Sequence, residues 1–442
     1  MTDTSPDNKF ASASTAAAPI SRRTVLAGTA LAVPAVVLTA SAPAVAASGL
    51  ALNFEKSSYS GQGCTTISGA KVSASDNGAP KAGASVTVSL SNGYTFSTGG
   101  TSSTGVTGTD GARTLPDINV PAGGGSGTAT ATSSGATSTT ASLISTGAQA
   151  AAYISDGTES QASGVPRNSK PVAGGLWLTS DGRIVDGLYN GQVRATNVAS
   201  FGQIFRETNT TWYLPLTNSD GSATYISGGG PQTNAANVPA GSTPVAGGLW
   251  LTSAGQIVDG LQGGQVVATN VSSFGQIYRD PNTTWYIPLK NSDGSATYIS
   301  GGGPQTSASN VPTGSTPIAG GLWLASGGQI VDGLHGGQVV ANNVSSFGQI
   351  YRDPKTSWYV PLKNSDGSAT YISGSGPQSS ATNVPNNSTP VAGGLWLSPG
   401  GQLVDGLNGG SAVGSAIKSF GQIYRESSGG WYLPLSVAAT DC

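Results

Sequence analysis

Apolar and polar residues alternate along this chain in short runs divided by turn residues. Lys71-Val72-Ser73-Ala74-Ser75, Ser85-Val86-Thr87-Val88-Ser89-Leu90 and Thr128-Ala129-Thr130-Ala131-Thr132 have the period of two expected of half-buried strands. Asn77-Gly78, Asn92-Gly93 and Asp110-Gly111 supply turns between such runs. Further on, Leu176-Trp177-Leu178-Thr179, the turn Ser180-Asp181-Gly182 and Arg183-Ile184-Val185-Asp186-Gly187 read as a tight hairpin. Phe201-Gly202-Gln203-Ile204-Phe205-Arg206, Thr211-Trp212-Tyr213-Leu214-Pro215-Leu216 and Ser222-Ala223-Thr224-Tyr225-Ile226-Ser227 continue as strands, and residues 228–242 read as a loop. No window sustains a helical period, so the pattern predicts an all-β fold.

The second half of the pattern is a repeat. The stretch from Pro171 to Thr243 returns three more times, the last copy cut short. Trp177, Trp250, Trp323 and Trp396 recur every 73 residues, as do Trp212, Trp285, Trp358 and Trp431, and these are all eight tryptophans. The two sets interleave unequally, so each copy reads as two half-units that bury their apolar faces against neighbours. The array begins with Ala151-Ala152-Tyr153-Ile154-Ser155, which matches Ala223-Thr224-Tyr225-Ile226-Ser227, and ends with Trp431-Tyr432-Leu433-Pro434-Leu435, which matches the strand before it. Completing one unit from both ends is how a circular array closes without edges. The predicted architecture is therefore a β-sandwich over 47–148, followed over 149–442 by a closed β-propeller-like array of seven or eight small blades, or four double units.

Composition narrows the function classes. Charged residues are only 9% and the net charge is −2, which excludes an electrostatic footprint for nucleic acid or an anionic membrane. One histidine and two cysteines leave little material for a metal centre, and no cofactor is expected. Residues 1–46 read as a leader: Ser21-Arg22-Arg23-Thr24-Val25-Leu26, an Ala-rich apolar stretch, then Ala44-Val45-Ala46. This resembles a twin-arginine translocation signal, with cleavage between Ala46 and Ala47 and export of the folded chain implied. No other run is long enough to span a membrane, and a monomer at the cell surface or outside it is expected.

Two further resemblances concern the folded part. The phrases GAPKAGASVTVSLSNGYTF, TGTDGARTLPDI and GSGTATATSSGATST resemble bacterial Ig-like domains of surface proteins, implying a sandwich with a spacer or presentation role. The hairpin A-G-G-L-W-L-T-S-D-G-R-I-V-D-G is similar to repeats of regulator-of-chromosome-condensation-type propellers. It departs from them in ending on Val-Asp-Gly instead of a Trp-Gly pair, and no exchange-factor function carries across.

Candidate chemistry is repeated chemistry. Arg206, Arg279, Arg352 and Arg425, each followed by an acid, form either a polar binding ring or surface tethers. Asp186, Asp259, Asp332 and Asp405 are expected to shape turns through backbone amides. Trp212-Tyr213, Trp285-Tyr286, Trp358-Tyr359 and Trp431-Tyr432 alternate along strands, as core between blades or as walls of sugar-binding clefts. The lone His335 aligns with Tyr189, Gln262 and Asn408 on a variable turn, and no catalytic triad can be assembled around it. Cys64 and Cys442 are expected to pair in an oxidising compartment, the alternatives being free thiols or an intermolecular bridge. These features predict a non-catalytic adhesion or interaction protein with a protein or glycan partner. A multivalent glycan-binding propeller and a propeller hydrolase are the alternatives.

Overall fold

A computed structural model describes residues 49–206, 211–228, 230–279, 284–301, 303–352, 357–374, 376–425 and 430–442. The leader, with Arg22-Arg23 and the Ala46/Ala47 cleavage site, lies outside the described residues. The described chain is all β apart from one 3-10 turn at Gly187–Tyr189.

Residues 50–146, the segment expected to be a sandwich, form three sheets, the smallest joining Thr66–Ile67, Ile118–Asn119 and Thr95–Phe96. One sheet joins Leu50–Phe54, Lys71–Asp76, Ala79–Pro80 and Ala112–Thr114; a second has the order Ser58–Gln62, Thr139–Thr146, Gly125–Thr132, Ser85–Leu90, Ser102–Val106. Alternation puts Val72, Val86, Val88, Ala129, Ala131 and Leu143 inward, into one buried cluster. Buried polar groups there have partners: Tyr94 donates to the Gly125 carbonyl at 2.8 Å, and Arg113 Nη1 to the Val86 carbonyl at 2.7 Å.

The array consists of eight small sheets, two for each copy. In the first copy (171–243) a four-stranded sheet orders Lys170–Ala173, Leu176–Leu178, Ile184–Asp186 and Gln192–Ala195. A five-stranded sheet follows, where Val198–Phe201 and Phe205–Arg206 both pair Trp212–Asn218, which pairs Ala223–Ser227 and then Thr233–Asn234. The half-units have room for four strands because most strands are only two to five residues long. Thr233–Asn234, in the segment expected to be a loop, forms the outermost strand.

The last five-stranded sheet is built from both ends of the array. Gln149–Ser155 pairs antiparallel with Trp431–Ala438, with Ala152 opposite Leu435 and Ile154 opposite Leu433. It takes the place that Ala223–Ser227 holds in the first copy. The tail continues to Cys442, which forms a disulfide with Cys64 of the sandwich at a Cα–Cα distance of 5.3 Å.

Two side chains link the sheets. Trp177, Trp250, Trp323 and Trp396 are fully buried. Their indole N–H groups donate to the carbonyls of Leu435, Leu216, Leu289 and Leu362, each in the second sheet of the preceding copy. For Trp177 that preceding sheet is the one shared by the two ends. The ring also explains the Val-Asp-Gly ending: a Cβ on Gly187, Gly260, Gly333 or Gly406 would lie 2.6–2.7 Å from the indole edge. Within Phe-Gly-Gln-Ile, each glutamine bridges to the next copy. Gln203 accepts from the Ile277 amide at 2.8 Å, Gln276 from Ile350 at 2.8 Å and Gln349 from Ile423 at 2.9 Å. Gln422 accepts from Ile204 at 2.7 Å, so the bonds run through all four copies and return to the first. The four glutamines share a cavity of about 620 Å³ with Phe274, Phe347 and Phe420.

Candidate binding pockets

The candidate site is a pocket found at three of the places where one copy meets the next, those leading into the first, second and fourth copies. Its base is the Gly-Gly turn ahead of the buried tryptophan (Gly174-Gly175, Gly247-Gly248, Gly320-Gly321, Gly393-Gly394). A Cβ on Gly175, Gly248 or Gly321 would fall about 2.5 Å from the side chain of Leu188, Leu261 or Leu334, so only glycine lets that leucine close the floor. The aspartate of Val-Asp-Gly forms one wall. Its Oδ1 accepts from the backbone amide two residues on, at Leu188 (3.1 Å), Leu261 (2.9 Å), Leu334 (3.0 Å) and Leu407 (3.0 Å), as expected for a turn-shaping Asp.

The other walls are aromatic and come from two copies. Phe205 meets Trp285 with ring centroids 6.2 Å apart, Tyr278 meets Trp358 at 6.3 Å and Tyr351 meets Trp431 at 6.1 Å. Tyr424 of the last copy meets Trp212 of the first at 6.5 Å. Tyr213, Tyr286 and Tyr359 pack edge-on against Tyr225, Tyr298 and Tyr371 at 5.9 Å, and Tyr432 against Tyr153 at 5.8 Å. All eight of the aromatics singled out in the sequence are therefore half-buried, unlike the other tryptophan set. Trp212, Trp285 and Trp431 line pockets, as do Tyr213 and Tyr359.

The pockets differ in size and in one wall residue. The junction into the second copy holds about 410 Å³, that into the fourth about 330 Å³ and that into the first about 120 Å³. Gln262, Asn408 and Tyr189 line them at the position equivalent to His335. Comparing the copies by sequence finds this position, but only as a variable turn. In the third copy His335 Nδ1 is 2.8 Å from Asp332 Oδ2, and in the fourth Asn408 Nδ2 donates to Asp405 Oδ2 at 2.8 Å. In the first copy Arg194 donates to Asp186 Oδ2 from Nε at 3.2 Å and from Nη2 at 3.1 Å. Burial pushes the Asp186 carboxyl above its ordinary range, and the Arg194 charge works against that shift.

Arg206, Arg279, Arg352 and Arg425 lie on short strands opposite Trp212, Trp285, Trp358 and Trp431. Arg279 is half-buried; the other three side chains and the acids that follow all four lie outside the described residues, as does the expected polar ring. Among the described residues no group of three or more His, Cys, Asp or Glu side chains is gathered as a metal site requires, and no helix is long and apolar enough to cross a membrane.

No family model matches the chain, and no curated protein matches it. Among solved structures, invasin, a bacterial integrin-binding protein, is 12% identical over 73% of this chain and 78% of its own, with a TM-score of 0.20. A structure of BBS1N in complex with ARL6DN, soaked with lead, is 12% identical over 71% of this chain and 86% of its own, with a TM-score of 0.24. At such TM-scores neither likeness carries an argument about this chain.

Proposed function

We propose that the mature chain is an exported, non-catalytic interaction protein, in which a closed propeller-like ring of eight small sheets presents repeated binding pockets and the Ig-like sandwich serves as spacer. The observation that carries this reading is the recurrence of one pocket design at successive junctions, each with a Gly-Gly floor, an aspartate and an aromatic pair drawn from two copies. Closure is supported by the glutamine bonds that return from Gln422 to the first copy and by the sheet shared between the two ends. The Cys64–Cys442 bridge supports residence in an oxidising compartment, in keeping with twin-arginine export. Recurrence of the same design at three junctions favours binding over catalysis, which usually relies on one asymmetric constellation.

Several weak pockets on one chain act through effective concentration. Labelled mature protein, titrated onto bacterial and animal cell surfaces, is therefore expected to lose apparent affinity stepwise as Trp285→Ala and Trp431→Ala are combined, by roughly tenfold for each pocket. Undiminished binding by the double variant, or turnover of a polysaccharide abolished by a single carboxylate substitution, overturns the reading.

A further inference from the structure

We propose that the pockets entering the second and fourth copies receive a guanidinium or alkylammonium group, the arginine or lysine side chain of a partner protein, and that Arg194 occupies the equivalent place in the first copy. This rests on the reading of the junctions as binding pockets. The chain supplies its own example of the ligand. Arg194 directs two N–H groups at the second carboxylate oxygen of Asp186, and its guanidinium carbon is 5.7 Å from the centroid of the Tyr189 ring. The space left in that pocket is about 120 Å³.

On the corresponding strands Gln265–Ala268 and Ser411–Gly414, the place of Arg194 is taken by Val267 and Val413. There the carboxylates of Asp259 and Asp405 line cavities of about 410 and 330 Å³, the size at which small-group binding pockets begin. Asp156 adds a second acid to the fourth-copy pocket. At Asp332 and Asp405, too, the second oxygen meets a nitrogen, from His335 and Asn408. A hydrogen bond with an ionised partner is about twice as strong as one between neutral groups, a cation adds direct attraction to the carboxylate, and the half-buried Trp285 and Trp431 that line the pockets can add cation–π attraction. A planar guanidinium uses both terms at once.

Calorimetric titration of the mature chain with Nα-acetyl-arginine N-methylamide tests this. Saturable binding is expected, weakening about tenfold between low and high salt as surface charges are screened. Asp259→Asn and Asp405→Asn should each remove one site, and asparagine keeps the Oδ1 acceptor that the backbone amides of Leu261 and Leu407 need. Arg194→Val, which copies the other repeats, should add one site and so tests the idea by gain. An unchanged number of sites in Arg194→Val, or a neutral probe such as methyl α-glucopyranoside filling the same pockets independently of salt, overturns the assignment. Stepwise loss of cell-surface binding in the tryptophan variants without any binding of the arginine probe also overturns it, while leaving the multivalent reading intact.

Discussion

Each copy spells tryptophan twice, and the two residues do different work. Trp250 is fully buried and donates its N–H to the Leu216 carbonyl of the preceding copy, whereas Trp285 is half-buried beside Phe205 and lines a pocket. Truncating a buried tryptophan removes its transfer energy, opens a cavity and here leaves a carbonyl without its donor. Trp250→Ala is therefore expected to cost about 3–5 kcal/mol, and Trp285→Ala about half of that or less, because part of its ring already meets water. Urea denaturation of both variants checks this, and equal losses would contradict the assignment of roles. A period of two says which face of a strand a ring takes, but not what covers that face. For this reason the sequence leaves core and cleft open for Trp212 and its three equivalents.

Among the elements, the Asn-Ser-Asp-Gly-Ser turns carry a titration. Asp220, Asp293 and Asp366 accept from the hydroxyls of Ser222, Ser295 and Ser368 at 2.6 Å and from their amides at 2.9 Å. The hydroxyl bond, seconded by the amide, holds each carboxyl below its ordinary range. A carboxylate lowered in the folded state stabilises above its unfolded pKa, and that contribution disappears as the pH falls through the lowered value. Asparagine at all three positions keeps an acceptor and removes the titration. The native chain should thus lose melting temperature relative to the triple Asn variant as the pH falls from about 6 to 2, a window set by ordinary carboxylate titration and its downward shift. Parallel curves for the two proteins would refute this. The turns themselves are legible from Asp-Gly between alternating runs. The serine contact, two residues on, is legible only as a familiar turn habit.

At the scale of the whole molecule, the question is whether the array is a ring. In an open array the last glutamine has no following copy to bond, so its removal would cost little. In the described chain Gln422 receives the Ile204 amide and donates to the Ile204 carbonyl at 3.2 Å, just as Gln276 does with Ile350. Gln422→Ala and Gln276→Ala should therefore destabilise alike, by about 1–3 kcal/mol each, because either leaves a half-buried amide and carbonyl unmatched. Thermal unfolding of the two variants decides it, and a silent Gln422→Ala would favour an open chain of sheets.

The sequence by itself carries what is local or periodic. Alternation and turn dipeptides mark strands such as Ser85–Leu90 and hairpins such as Leu176–Leu178 with Ile184–Asp186, since these depend on neighbouring residues. The match between Ala151–Ser155 and Ala223–Ser227 likewise points to a sheet shared between the ends, because the same side-chain pattern seeks the same partner strand. Tertiary structure alone decides which residues from different copies meet. It makes eight sheets of the half-units, because very short strands suffice once both faces are covered. It brings Cys64 and Cys442, the pair expected from the sequence, to a Cα–Cα distance of 5.3 Å across 378 residues. It turns the glutamine of Phe-Gly-Gln-Ile into a link between copies, and it brings Phe205 of one copy to Trp285, Asp259 and Gln262 of the next. A linear pattern records what each residue prefers, whereas a pocket shared by two copies depends on distances that exist only after the sheets have packed.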